Sequence, residues 1–143
     1  MKSIFTSIII LFSFIYASAQ KVGINTNTPQ ASLDVKGSLR VGDSSVVFAA
    51  NLIDPGAIPG EPPVSGPGIR MMWYRDKAAF RAGQSGAAFW DKDSIGMCSF
   101  ATGANTVAKG SYSTAIGLGA SASFDGAFAS GAFTQASGFA STT

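Results

Sequence analysis

The chain is expected to be all-β: a parallel β-roll (solenoid) of 14-residue coils, preceded by short β-strands and a small hairpin-containing cap region. Three observations lead there. A repeat of period 14 runs without a gap from Gly96 to Thr143. Glycine contributes 17 residues and only 13% of the chain is charged, about half the usual ~25%. Residues 22–41 alternate apolar and polar positions between turn-forming clusters, as strands do.

The repeat is read in columns. In rows of 14 starting at Gly96, the fourth position is Ser99, Ser113, Ala127 and Ser141. The sixth is Ala101, Ala115 and Ala129, the eighth Gly103, Gly117 and Gly131, and the thirteenth Ala108, Ala122 and Ala136. The first is Gly96, Gly110, Phe124 and Gly138. A side-chain period of 2 puts positions four, six and eight on one face of one strand, and eleven (Thr106, Ala120, Thr134) and thirteen on one face of a second. That inward face is almost all methyl or hydrogen, so two strands can approach more closely than the ~10 Å of ordinary stacked sheets. Glycines are expected to supply the positive-φ turns between them. Each coil hydrogen-bonds to the one before at ~4.8 Å, and stability comes from stacking. A Gly/Ser/Ala-rich disordered linker is the alternative. The fixed columns and the apolar Phe100, Ile116, Phe128 and Phe133 argue against it.

Ahead of the repeat, residues 1–19 read as a signal peptide, with cleavage between Ala19 and Gln20. Lys2 supplies the positive start, Ile4 to Tyr16 the apolar run, and Ala17-Ser18-Ala19 the small-residue site. The run is shorter than the ~20 residues that span a bilayer. Residues 20–42 form a short β module with strands around Val22/Ile24, Leu33/Val35 and Leu39/Val41. Residues 43–95 begin as a Pro/Gly-rich loop, with Pro55, Pro59, Pro62, Pro63 and Pro67. A hairpin follows, with Arg70–Tyr74 and Ala78–Ala82 flanking Arg75-Asp76-Lys77. Residues 96–143 are the repeats.

Composition excludes several functions. The chain has no His and one Cys, which removes Ser-His-Asp and Cys-His catalysis, His-ligated metal and any intrachain disulfide. The net charge of +2 is a small imbalance, not a nucleic-acid footprint. No catalytic, metal or cofactor-binding residue is assigned, and no cofactor, nucleic acid or small-molecule substrate is expected. Asp91 and Asp93, after Trp90, could form a metal or acid/base pair but read more readily as a solvated turn. Cys98 has no base to activate it. Trp73, Tyr74, Phe89 and Trp90 could line a ligand cleft, or form a mini-core that caps the open first coil of the roll. Phe100, Thr102, Tyr112, Thr114, Phe128, Phe133 and Thr134 are the candidates for outward binding or chain-to-chain contact.

The rows Ser99-Phe-Ala-Thr-Gly103 and Ser113-Thr-Ala-Ile-Gly117, with Ala127-Phe-Ala-Ser-Gly131 as a looser copy, resemble the YadA-like head repeats of trimeric autotransporter adhesins. The resemblance covers about a third of the chain. It implies a left-handed parallel β-roll, a homotrimer, display at a Gram-negative cell surface or secretion, and non-enzymatic attachment to host matrix or other surfaces. The repeat-defining residues are then Ser99, Ala101, Gly103, Ala108, Ser113, Ala115, Gly117, Ala122, Ala127, Ala129, Gly131 and Ala136. The segment VGINTNTPQASLDVKGSLRVG resembles a short module near the start of bacterial surface fibres and phage-like tail fibres. It implies the alternative of a tail-fibre-like structural subunit whose C-terminal chaperone domain is missing. No heptad stalk or barrel anchor follows the repeats, and the chain stops six residues into a coil, so a truncated product is expected. An enzyme on a hexapeptide β-helix is disfavoured, because such coils repeat by six and their chemistry uses a His.

Overall fold

The fold is that of a computed structural model, which describes residues 21–39, 42, 46–51, 53, 54 and 56–143. The signal segment with Ala19 and Gln20, and Arg40 and Val41 of the third expected strand, lie outside the described residues; Leu39 belongs to no strand. The chain divides into two compact units, Met1–Phe48 and Ala49–Thr143.

The first unit contains β1 (Val22–Ile24) and β2 (Leu33–Val35), paired in parallel, with Val22 opposite Leu33 and Ile24 opposite Val35. Parallel pairing follows from the connection, which must return to the start of the first strand instead of reversing in a hairpin. The return is fastened by Val22 N–H to Ser32 O, 2.7 Å, and Lys36 N–H to Ile24 O, 3.0 Å. The Asp34 carboxylate accepts from Gln30 N–H at 3.0 Å. Residue 23 has to be glycine: a Cβ there would collide with the Thr26 carbonyl and crowd Pro29, because the connecting turn folds over that face.

The second unit opens on β3 (Gly68–Tyr74) and β4 (Ala79–Ser85), the expected antiparallel hairpin, turned by the 3₁₀ segment Arg75–Lys77 and by Ala78 at φ +47°. β4 then pairs in parallel with β5 (Phe100–Ala104). The coils continue through β6 (Val107–Ala108), β7 (Thr114–Leu118), β8 (Ser121–Ala122), β9 (Phe128–Ala132) and β10 (Gln135–Ala136). The long strands form one sheet in the order β3-β4-β5-β7-β9 and the short ones a second in the order β10-β8-β6. The register is in columns: Gly103 with Gly117 and Gly131, Ala101 with Ala115 and Ala129, Ala108 with Ala122 and Ala136. The all-β solenoid of 14-residue coils is therefore what the repeat encodes.

The core between the two sheets consists of alanines: Ala101, Ala108, Ala115, Ala120, Ala122, Ala127, Ala129 and Ala136. A buried methyl contributes only ~0.8 kcal/mol, against ~1.5–3 for a large aliphatic side chain. The roll is held chiefly by close backbone approach and its ladder bonds.

Glycine does only part of what was expected of it, supplying two of the positive-φ corners, Gly119 and Gly126. The corner residues sit in the left-handed region, but they are Ala78, Cys98, Tyr112, Gly126 and Ala140 at one corner and Asn105, Gly119 and Phe133 at the other. Each after Ala78, which donates within its own turn to Arg75 O at 3.0 Å, is held by a bond to the preceding turn or coil, as in Tyr112 N–H to Met97 O at 2.7 Å and Phe133 N–H to Leu118 O at 2.7 Å. That bond fixes the corner backbone; the side chains of Cys98 and Tyr112 are exposed, whereas Asn105 Oδ1 accepts from Gly86 N–H at 2.6 Å. The column Gly83, Gly103, Gly117, Gly131 lies instead within the strands, at φ +118° to +127°. A Cβ at residues 83, 103 or 117 would collide with the backbone of the next glycine in the column. The first-position Gly96 and Gly110 face the same exclusion, a Cβ meeting the carbonyls of Gly110 and Phe124.

The serine column closes the first corner. Ser99, Ser113 and Ser141 each donate from Oγ to the carbonyl three residues earlier, at 2.6–2.7 Å. Ala127 replaces serine in the third coil, so the bond is useful and not obligatory. Ser113→Ala, at a fully buried position, is expected to cost about 1 kcal/mol and to lower the melting temperature by roughly 4–8 °C. Thermal denaturation followed by circular dichroism checks this, and no shift would remove the serine column from the account.

Candidate interaction surface

Alternation along the five long strands separates two faces. Inward go Met72, Tyr74, Arg81 and the alanine columns; outward go Ile69, Met71 and Trp73 from β3, Phe80 from β4, Phe100 from β5, Ile116 and Leu118 from β7, and Phe128 from β9. The charged residues of these strands are Arg70 and Arg81, and both lie on the inward side. The outward face is therefore uncharged. Phe80 and Phe100 stack along it with centroids 5.5 Å apart and planes at 12°. Ile69 is 83% exposed, Met71 73% and Trp73 42%. Five strands at ~4.8 Å and about five residues at ~3.3 Å make a face on the order of 400 Å², within the ~300–600 Å² of the largest apolar patch of a typical monomer, which is often functional.

The structure sorts the outward candidates. Phe100, Thr102, Thr114 and Phe128 lie on this sheet face. Tyr112 and Phe133 occupy left-handed corners instead, both well exposed. Phe133 turns its ring over Gly119 of the preceding coil, where a Cβ would clash with it. Thr134 is a correction: it stands in the inward column with Thr106 and Ala120, and its hydroxyl is buried without a partner. Of the repeat-defining residues, Ala101, Ala115 and Ala129, Gly103, Gly117 and Gly131, and Ala108, Ala122 and Ala136 pair column by column, and Ser99, Ser113 and Ala127 are buried.

The aromatic region divides between the faces. Met72, Tyr74, Ala79, Trp90 and Ile95 form a second core cluster, with Phe89 packed against it. Trp90 Nε1–H donates to Thr106 O at 2.9 Å, and the Arg70 guanidinium lies over its ring at 5.4 Å. Burial, with Asp76 second, pushes the Tyr74 phenol above its ordinary value. Trp73 is the second correction. It is adjacent to Tyr74 on a strand, so it points to the opposite face and joins the exposed surface. Two depressions of about 330 and 410 Å³ on this unit are lined by none of these four aromatics. Tyr74, Phe89 and Trp90 pack with Ala79 and Ile95 at the start of the roll, as the capping reading expects, while β4 covers the edge of β5.

Asp91 and Asp93 do not come together as a site. Asp91 Oδ1 accepts from Gly66 N–H at 2.6 Å, tying the proline-rich loop to the cap, while Asp93 is exposed. Among the described residues no group of three or more His, Cys, Asp or Glu could hold a metal ion, and no helix is long and apolar enough to cross a membrane. Cys98 is free and exposed at its corner.

The residue that sequence reasoning missed is Arg81. It stands in the alanine column, opposite Ala101, and is fully buried. Its Nη1 donates to the carbonyls of Phe80 (2.8 Å) and Ser99 (3.0 Å), and its Nη2 to Ser99 Oγ (2.8 Å) and Ala108 O (3.0 Å). No carboxylate accompanies it among these partners. Desolvation lowers its pKa to about 10, so it remains charged in neutral solution. The guanidinium spans both legs of the first full coil and plugs the end of the alanine core. A signal was present: Phe80-Arg-Ala-Gly83 repeats the spacing of Phe100-Ala-Thr-Gly103. It sits 20 residues upstream instead of 14, because the 3₁₀ turns Ala88–Trp90 and Lys92–Ser94 are inserted. Lys77 Nζ straps that insertion down, donating to the carbonyls of Lys92 (2.6 Å) and Ile95 (2.7 Å).

No family model, curated protein or solved structure matches the chain.

Proposed function

We propose that this chain is the head of an exported, non-enzymatic surface fibre that assembles as a homotrimer and attaches to host matrix or other surfaces. The observation that carries the reading is the outward sheet face: regular, uncharged, and built of aromatic and aliphatic side chains with Gln84, Thr102, Thr114 and Ser130 among them. A roll with a thin alanine core leaves its large side chains outside, and burial between copies is where they stabilise most. One such face is about half the ~800 Å² that each partner contributes to a standard pairwise interface. That favours a closed ring in which each chain meets two neighbours over a two-partner dimer. The corner side chains, Tyr112 and Phe133, then remain on the outer surface to meet a target.

The test is retention of protein-coated beads on an extracellular-matrix film. Beads coated with the unsubstituted chain are expected to be retained. The double variant Phe100→Asp/Ile116→Asp, which places two charges on the outward face, is expected to keep its β-rich spectrum and lose at least ~10-fold in retention, equivalent to ~1.4 kcal/mol or more. Equal retention of both proteins, or none by the unsubstituted chain, contradicts the reading.

A further inference from the structure

Within the second unit, the proline-rich segment is attached in a way the coils are not. Pro59, Pro62, Pro63 and Pro67 have no N–H to give to a ladder. Among the described residues, no backbone–backbone hydrogen bond involves residues 58–67. The coils, by contrast, are tied backbone to backbone, as in Gly119 N–H to Ala104 O at 2.8 Å. Two glycines carry the attachment of the segment. Gly60 N–H donates to Asp76 Oδ2 at 2.9 Å, and Gly60 O accepts from the Tyr74 hydroxyl. Gly66 N–H donates to Asp91 Oδ1 at 2.6 Å, and Gly66 O accepts from Arg70 Nη1 at 2.9 Å. Each glycine therefore has its N–H held by a carboxylate and its carbonyl held by a side chain of β3.

Between these two points Pro62 is buried, while Glu61, Pro63, Val64 and Ser65 are exposed. Glu61 adds an ion pair to Lys92 at 3.7 Å, and exposed pairs of that kind stabilise little. The segment also stands off from the insertion, leaving the depression of about 410 Å³ lined by Glu61, Ser65, Asp91 and Lys92. All of these attachments can break without breaking a sheet. The register of β3 with β4, from Gly68–Ser85 to Tyr74–Ala79, involves none of them, and neither does the bond from Trp90 to Thr106 O. A region with few buried apolar contacts opens locally at a free energy well below the global one. Pro62 and Pro63 fix their own φ, which stiffens the stretch between the glycines, so lifting one end pulls on the other.

We infer that residues 60–66 are a strap, which leaves the cap as one body and opens the depression over the insertion while the hairpin and the coils stay folded. The experiment is native-state amide hydrogen exchange of the full chain, read at Gly60 and Gly66 and, as ladder controls, at Gly119 and Phe133. The two strap glycines are expected to share one opening constant, at least ~10-fold larger than that of the two ladder amides. Asp91→Ala removes the acceptor of Gly66. It is expected to speed exchange at least ~10-fold at Gly60 as well as at Gly66, because a hydrogen bond to a charged group is among the stronger ones. Asp76→Ala is expected to do the same in return, and neither variant should speed Gly119 or Phe133. Strap glycines with unrelated opening constants, or variants that speed only the glycine they touch, overturn the strap. So do strap glycines that exchange no faster than the ladder amides in the unsubstituted chain, since the opening would then be unfolding of the whole unit.

Discussion

Arg81→Ala is expected to lower the melting temperature of the second unit by roughly 15–30 °C. Four hydrogen bonds disappear together, and the carbonyls of Phe80, Ser99 and Ala108 and the Ser99 hydroxyl each lose a donor. Leaving a buried acceptor without its donor costs ~1–3 kcal/mol; because the Ser99 and Ala108 carbonyls keep backbone donors in Phe80 and Gly96, the four together cost ~3–5 kcal/mol, and each kcal/mol shifts a domain of this size by ~4–8 °C. Arg81→Lys should recover only part of the loss, because an ammonium cannot present the guanidinium's planar fork to both legs of the coil. The effect should also be independent of pH between 5 and 9. Burial lowers the folded pKa of this base to about 10, so both folded and unfolded forms stay protonated in that range. Burial's penalty on the charged form would begin to lift, and stability to rise, only as pH climbs through 10 towards the unfolded value. Paired melts of the three proteins at pH 6 and 9 measure this. A shift below ~4 °C for Arg81→Ala would mean that the alanine core closes without its plug.

The second large effect is at the glycine column. Gly117→Ala puts a methyl into the backbone of Gly131 in the next coil, at a φ of +121° that alanine resists. Backbone strain of ~1–3 kcal/mol adds to an overpacking cost of ~1–3 kcal/mol that no side chain can relieve by moving. A loss of about 3–5 kcal/mol follows. Gly131→Ala is the internal control. It has the same φ class, at +119°, but its added Cβ meets only the Thr134 methyl at an ordinary 3.4 Å. Its cost should be about 1–2 kcal/mol, from strain alone. Chemical denaturation of the two variants separates close approach from dihedral strain. If they lose the same amount, the claim that coils stack at glycine contact distance is wrong.

The parts of this fold that are legible in sequence are those where geometry excludes side chains. Gly103 and Gly117 recur because nothing else fits, and Ala101, Ala115 and Ala129 because a methyl is all the space admits. The left-handed corners are illegible for the converse reason. Ladder bonds fix the backbone at Cys98 and Tyr112, their side chains are exposed, and residue type there carries little signal. Arg81 was hidden by spacing, since a 20-residue step does not register in a search for 14. The split between Trp73 and Trp90 was available from strand alternation alone: Trp73 neighbours Tyr74 and cannot share its face, whereas Trp90, on a 3₁₀ turn, answers to no period. The outward face could be listed from sequence but not sorted, because exposure and side emerge only once corners, strands and inward columns are assigned.

The most direct test of assembly is the mass of the full chain in solution by sedimentation equilibrium, across a range of concentrations, with a circular dichroism spectrum of the same sample. The account predicts a β-rich species at three times the chain mass that dissociates when charge is placed at Phe100 and Ile116. A β-rich monomer at every concentration would contradict it, because the uncharged sheet face would then have no copy to meet.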